Sequence, residues 1–188
     1  MLCEIIHDAK REVGERAHCQ RHTALGQPRD ELLIFKRAIA VIDAVDFQLV
    51  QRLVDIGGWA LFACMGDDVM LLATHFFCKY PDPSASKFVA WHQDITYWGL
   101  EPPEAHTAWI AIDDANLANG CMQVIPGSHQ NGIAEHGKSE SAGNLLSINQ
   151  EIPDELIDKS RVRHLELEAG QISIHQGKTF HCSNPNIS

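Results

Sequence analysis

The chain has 188 residues, of which 45% are hydrophobic and 21% are charged, and its formal net charge is -10 at pH 7. This size and composition exclude a disordered or fibrous protein and fit one globular domain with its own core. The acidic balance disfavours binding to nucleic acid or to an anionic membrane, because both need clustered cations. The six cysteines are scattered without a Cys-x-x-Cys pair, so we expect reduced thiols in a cytoplasmic enzyme.

The first third of the sequence, residues 1–65, predicts helices. Apolar residues recur at three-to-four spacing among charges over residues 5–13 and again over 32–41. A further helix is predicted from Phe47, with its end at Gly57-Gly58, because glycine readily adopts the left-handed conformation that terminates helices. We expect this helical part to pack outside a core that the rest of the chain forms.

Residues 66–188 predict a β domain. Short apolar and aromatic runs alternate with turn formers such as Pro126-Gly127 and Ala169-Gly170. The predicted strands cover residues 69–80, 105–112, 121–125, 164–168 and 171–175. A polar stretch over 127–161 interrupts them and contains a predicted short helix at 153–159. An insertion of this kind in a β domain is often a lid, and we expect residues 130–160 to act as one.

The strongest local signal is the tetrapeptide Trp91-His92-Gln93-Asp94. In an extended strand alternate side chains share a face, so His92 and Asp94 can reach one metal ion together. An imidazole and a carboxylate suit Fe(II), and a second histidine would complete a facial triad that leaves coordination positions open. His-x-Asp alone is common by chance, and the spacing does not choose between His175 and His181 as the distant histidine.

Five segments follow one another in a recognisable order and separation. They are His92-Gln93-Asp94 and residues 107–114, 119–129, 170–175 and 181–188. Together they resemble the phytanoyl-CoA dioxygenase family of Fe(II), 2-oxoglutarate-dependent oxygenases, from about Gly66 to the last residue. The resemblance implies a mainly β protein with flanking helices, a double-stranded β-helix (jelly roll, cupin-like), as one oxygenase domain over residues 1–188.

The resemblance also implies which side chains hold the metal. The ligands would be His92, Asp94 and His181, and these three are the predicted catalytic residues. His175 would then be a strand residue near the site, and His129 would fix its loop by hydrogen bonding.

Three further residues match positions that bind the cosubstrate in the family. Ser183 matches a position whose hydroxyl binds the distal carboxylate of 2-oxoglutarate. Trp98 and Thr107 are weaker candidates for cosubstrate contacts, and core packing is the alternative role for Trp98.

The family implies Fe(II) as cofactor, with 2-oxoglutarate and O2 as cosubstrates, and hydroxylation of a small organic or acyl substrate. Related halogenases have Ala or Gly in place of Asp94, so the carboxylate predicts hydroxylation. Substrate identity and oligomeric state do not follow from the sequence. No basic cluster is suited to a CoA diphosphate, which favours a small free molecule.

Relatives carry an Arg a few residues beyond the segment that contains Ser183, and its guanidinium grips the carboxylate of 2-oxoglutarate. The sequence stops at Ser188, before that position, so we expect it to be part of a longer protein that is incomplete here at both ends. Two alternatives stay open. One is a catalytically silent β-barrel with a binding or regulatory role, and the other is a redox-inactive site that holds zinc or manganese in the same triad.

Overall fold

Two four-stranded antiparallel sheets form the body of the protein. The computed structural model describes residues 2–8, 47–66 and 69–188. Within these ranges the strands are β1 (Leu2–Asp8), β2 (Met70–Phe77), β3 (Val89–His92), β4 (Ala105–Ala111), β5 (Met122–Val124), β6 (Gly137–Lys138), β7 (Gln150–Glu151), β8 (Arg163–Leu165), β9 (Ile172–Gln176) and β10 (His181–Ser183). The α-helices of the same ranges are α1 (Phe47–Met65) and α2 (Ile95–Trp98).

The chain passes back and forth between the two sheets. The first sheet has the order β2-β1-β4-β9, the second has the order β3-β10-β5-β8, and β6 pairs with β7 in the polar insertion. All of these pairings are antiparallel. A chain that steps repeatedly from one sheet to the other gives a double-stranded β-helix, so the predicted jelly roll is confirmed.

Strand β4 shows how the core is divided, because its successive side chains face opposite sides of the sheet. Ala108 and Ile110 pack with Leu61 of α1 on the outer face of the first sheet. Trp109 packs with Met122 and Val124 of β5, between the two sheets. The inner face of the first sheet therefore looks across the interior toward the second sheet, and α1 covers the outer face.

The helical prediction for residues 1–65 is correct for one segment and wrong for another. Leu2–Asp8 is a strand that pairs with β2 on one side and β4 on the other, so sheet pairing overrides a helix-like spacing. Residues 9–46, where further helix was predicted, lie outside the described residues.

Helix α1 does not end at the glycine pair where we expected its end. It continues through Gly57 and Gly58 to Met65, and Gly66 then takes the left-handed conformation with φ 90°. A glycine inside a helix costs about 1 kcal/mol relative to alanine. Complete burial of Leu61 against β4 offsets part of that cost. In the described ranges no helix combines the length and the apolar character that crossing a membrane requires.

The strand predictions over 66–188 are confirmed as β2, β4, β5, β8 and β9. The helix predicted at 153–159 is wrong. Its residues form parts of two 3-10 turns, Asp154–Leu156 and Lys159–Arg161, with Ile157 and Asp158 extended between them. The Asp158 carboxylate accepts a hydrogen bond from the Ser160 amide (3.1 Å), which starts the second turn and prevents one continuous helix.

Candidate metal centre

Two histidines stand side by side between the sheets. His181 of β10 is the direct cross-strand partner of His92 of β3. Their ring centroids lie 4.0 Å apart, and both side chains are buried. Antiparallel pairing therefore brings together two imidazoles that are far apart in the sequence.

Backbone carbonyl groups fix the orientation of both rings. Nδ1 of His92 lies 2.9 Å from the carbonyl oxygen of Ala90, and Nδ1 of His181 lies 2.9 Å from that of Thr179. A carbonyl oxygen can only accept, so Nδ1 carries the hydrogen in each ring. When such a ring is neutral its lone pair is on Nε2, and burial lowers the pKa of His92, which favours the neutral form of that ring.

Asp94 completes the set, although it does not continue the strand as we predicted. Strand β3 ends at His92, and Asp94 has helical backbone angles (φ -59°, ψ -40°) at the start of α2. Its Oδ1 nevertheless lies 3.3 Å from Nε2 of His92 and 3.3 Å from Nε2 of His181. The three ligand atoms all lie within 4.8 Å of one another.

This donor set fits a divalent first-row metal ion. Two ligand atoms that are each about 2.1 Å from one ion at a right angle lie roughly 3 Å apart, which is close to the two observed separations of 3.3 Å. Burial alone would raise the pKa of Asp94, but the neighbouring imidazoles, with His181 foremost, hold the pKa of this carboxyl well below its usual value. The site therefore offers two imidazole nitrogens and one carboxylate oxygen, a donor set that suits Fe(II).

The second oxygen of Asp94 is held by the first sheet. The Thr107 hydroxyl donates to Oδ2 over 3.1 Å, and Nε2 of His175 donates to the same atom over 3.2 Å. Thr107 is fully buried and His175 nearly so. Thr107 was predicted to contact the cosubstrate, and in the structure its hydroxyl is engaged by Asp94.

Gln93, between the two ligands, points away from them and secures two loops. Its side-chain nitrogen donates to the carbonyl oxygens of Gly132 (2.8 Å) and Lys178 (2.7 Å), and its side-chain oxygen accepts from the Ala134 amide (2.8 Å). The Gln93 amide donates to Nε2 of His136 over 3.2 Å. The side chain is completely buried. Its hydrogen bonds to Gly132 and Ala134 attach the start of the polar insertion to the peptide between His92 and Asp94.

Ser183 lies two residues beyond His181 on β10, beside a lysine. Nζ of Lys79 donates to the Ser183 hydroxyl (2.8 Å), to the Gly120 carbonyl oxygen (2.8 Å) and to the Asn184 carbonyl oxygen. Burial lowers the pKa of Lys79 to about 8, while nearby Cys121 and Cys182 act in the opposite direction. The lysine therefore places a positive charge next to Ser183 at neutral pH.

Helix α2 carries two aromatic residues that follow Asp94, Tyr97 and Trp98. The Tyr97 ring meets the His92 ring edge to face, with centroids 6.0 Å apart. Burial, together with the charge of Asp94, raises the pKa of the Tyr97 phenol. Trp98 packs over the turn at Gly177, where an added Cβ would lie 3.4 Å from its ring. This contact accords with the packing role that we considered for Trp98, and a cosubstrate contact stays a prediction.

The structure brings His92, Asp94 and His181 together, as the sequence analysis expected, and shows neighbours that the sequence analysis missed. Sequence reasoning did not identify Lys79 or the loop contacts of Gln93, because neither has a motif of its own. It placed His175 near the site but did not predict its hydrogen bond to Asp94. It assigned the loop-fixing hydrogen bond to His129, whereas Ser128 makes one by accepting from the Phe180 amide over 2.8 Å.

Comparison with known proteins finds similar sequences and structures. The sequence profile of the family described as "Phytanoyl-CoA dioxygenase (PhyH)" matches residues 7–188. A phytanoyl-CoA dioxygenase domain-containing protein 1 homolog of Dictyostelium discoideum is 34% identical over 101 residues, which cover 52% of this chain and 35% of that protein. A probable alpha-ketoglutarate-dependent hypophosphite dioxygenase of Stutzerimonas stutzeri is 28% identical over 148 residues, 78% of this chain and 49% of that protein.

Among solved structures, EvdO2 from Micromonospora carbonacea var. aurantiaca complexed with 2-oxoglutarate is 23% identical, with a TM-score of 0.48. The match covers 57% of this chain and 42% of that one. The matches thus span about a third to a half of the length of the curated relatives named above.

Proposed function

Since the chain belongs to the phytanoyl-CoA dioxygenase family, we propose that it is an Fe(II), 2-oxoglutarate-dependent dioxygenase that hydroxylates a small organic or acyl substrate. His92, Asp94 and His181 are the proposed metal ligands. The observation that carries the proposal is their geometry: two Nε2 atoms, each 3.3 Å from one carboxylate oxygen, in a buried site between the sheets. An iron ion bound there would supply the activation of O2 with 2-oxoglutarate.

The proposed contribution of the protein is to hold this chemistry in place and away from water. His92 and His181 keep their Nε2 atoms directed at one point, because their Nδ1 atoms are bonded to backbone carbonyl oxygens. Three protein ligands would leave coordination positions of a bound iron ion open for 2-oxoglutarate and O2. Burial of the ligand side chains limits access of water to the reacting atoms.

Ser183 is the proposed partner of the distal carboxylate of 2-oxoglutarate. Its hydroxyl oxygen already accepts a hydrogen bond from Lys79, so its own hydrogen is available to donate to an anion. The Lys79 ammonium beside it would also attract a carboxylate. Trp98 and Thr107 remain weaker proposals for cosubstrate contacts.

The identity of the substrate is not part of the proposal beyond its class. The cytoplasm is the proposed location, because Cys64, Cys78, Cys121 and Cys182 are free thiols, as expected in a reducing compartment.

Anaerobic titration of the full-length protein with Fe(II) and 2-oxoglutarate tests this function. We expect a weak visible charge-transfer band when both are present, and succinate formation coupled to O2 uptake once air is admitted with a substrate. The variant His181→Ala should lose the band, because the metal then keeps only two protein ligands. The variant His164→Ala removes an exposed histidine and should keep it.

The outcomes separate the alternatives described above. Tight binding of zinc or manganese without 2-oxoglutarate-coupled O2 uptake would favour a redox-inactive site. A full-length protein that binds neither Fe(II) nor 2-oxoglutarate would contradict the proposal and favour a catalytically silent binding protein.

A further inference from the structure

The two oxygens of the Asp94 carboxylate face different sheets. Oδ1 faces Nε2 of His92 and of His181, on the second sheet. Oδ2 faces the Thr107 hydroxyl at 3.1 Å and Nε2 of His175 at 3.2 Å, on the first sheet. The carboxylate therefore lies between a pair of candidate metal ligands and a pair of hydrogen-bond donors.

Strand register produces this arrangement on both sides. Thr107 of β4 and His175 of β9 are direct cross-strand partners, as are His92 of β3 and His181 of β10. One residue pair of each sheet thus points at the same carboxylate. The centroids of the His175 and His181 rings lie 4.8 Å apart across the interior.

The protonation of His175 follows from its partner. An ionised carboxylate can only accept, so the hydrogen in this contact belongs to Nε2 of His175. In the neutral ring Nδ1 then has a lone pair. Within the residues that the structure describes, this buried Nδ1 has no hydrogen-bond partner. The polar contact that orients the ring is therefore the one to Asp94, and a buried polar atom left unpaired in this way is uncommon and calls for a specific reason.

We propose that His175 is a positioning residue which, together with Thr107, holds Oδ2 of Asp94 so that Oδ1 alone reaches the metal. A carboxylate that is free to rotate can bind an ion through both oxygens. That mode would occupy a coordination position that the cosubstrates need. Hydrogen bonds to Oδ2 oppose it and keep Asp94 monodentate. This inference rests on the proposed metal-binding function of the same site.

Co(II) titration followed by visible absorption tests the inference, because the d–d bands of Co(II) respond to coordination number and geometry. The variant His175→Leu removes the donor, and His175→Gln keeps an N–H near the position of Nε2. Thr107→Val removes the hydroxyl with little change of shape, and Thr107→Ser keeps it. His164→Leu is the matched control on an exposed histidine.

We expect His175→Leu to weaken Co(II) binding about 10- to 100-fold and to change the band intensities. Thr107→Val should act in the same direction, and His175→Gln and Thr107→Ser should restore most of the affinity. Far-ultraviolet circular dichroism identifies variants that fail to fold. If His175→Leu does not fold, the Co(II) affinity and spectrum of Thr107→Val test the inference instead.

Three results would overturn the inference. One is a folded His175→Leu or Thr107→Val protein with wild-type Co(II) affinity and spectrum, even at lowered thermal stability, since a purely structural role predicts that result. Another is a His175→Gln protein that binds Co(II) as weakly as His175→Leu. A wild-type protein that does not bind Co(II) would overturn the proposed metal site, and this inference with it.

Discussion

Gly120 lies where the chain before β5 passes close to the chain after β10. Its φ of 76° is left-handed, and an added Cβ would lie 2.1 Å from the carbonyl oxygen of Asn184 and 2.9 Å from that of Pro185. Its own carbonyl oxygen accepts a hydrogen bond from Lys79, which also donates to Ser183. A side chain at this residue would therefore push away the segment that carries Ser183.

We expect Gly120→Ala to destabilise the protein by about 2–4 kcal/mol, because it combines backbone strain with a clash against backbone atoms. Urea denaturation of the variant and of the wild type measures this difference. Gly137→Ala is the matched control, because a Cβ there meets nothing within 4 Å. It should change stability by less than about 0.5 kcal/mol. Equal stabilities for the two variants would contradict the steric argument.

At the scale of the elements, the Gln93 side chain attaches the start of the polar insertion to the segment that follows strand β3. Gln93 bonds to Gly132, Ala134 and Lys178, and each bond is 2.7–2.8 Å long. The insertion was predicted as a lid, and its first residues are thus attached to the peptide that carries the candidate ligands. We expect this loop to move only when its hydrogen bonds to the side-chain amide of Gln93 break.

We expect Gln93→Leu to loosen the loop, because it leaves polar backbone groups without their side-chain partner at about 1–3 kcal/mol for each group that stays buried. Hydrogen–deuterium exchange should become faster at the Ala134 amide, which donates to Gln93 in the native protein. Gln130→Leu changes an exposed glutamine of the same loop and should leave that exchange rate unaltered. Unchanged protection of Ala134 in Gln93→Leu would show that the loop is held by other contacts.

The elements also show what the sequence could and could not predict. Alternating apolar runs located strands such as β4 and β9, because side-chain periodicity is a local property. The spacing of residues along the sequence cannot tell whether His175 or His181 faces a metal and which of them faces a carboxylate. The order of the family motifs therefore chose His181 as the candidate ligand. The turn at Asp94 and the pairing of β1 were missed because they depend on contacts between distant segments.

For the whole molecule, the buried and half-buried titratable groups predict how stability depends on pH. Burial is the main cause that lowers the pKa values of His92, His106, His136 and His175 below 6.5 in the folded protein. The unfolded chain therefore binds more protons than the folded protein once the pH falls below 6.5, and stability decreases in that range. Asp94 acts in the same direction at lower pH, because the stability that its ionised form contributes is lost as the pH falls through its depressed pKa.

We expect the Tm of the metal-free protein, prepared with a chelator, to fall steadily as the pH is lowered from about 7 to about 5. Thermal unfolding followed by circular dichroism measures it. His164→Ala, which alters a histidine in contact with water, should give the same slope. A Tm that is constant over this range would contradict the argument, because it would mean that folding does not lower the pKa values of these histidines.

The pairing of His92 with His181 also affects the topology of the chain. An ion bound to both would close a covalent and coordinate ring of about 90 residues, much as a disulfide does. By the chain-entropy estimate for a cross-link, such a closure restricts the unfolded ensemble by roughly 4–5 kcal/mol. The metal would thus act as a reversible cross-link between β3 and β10. Metal binding would then also protect these strands from proteolysis.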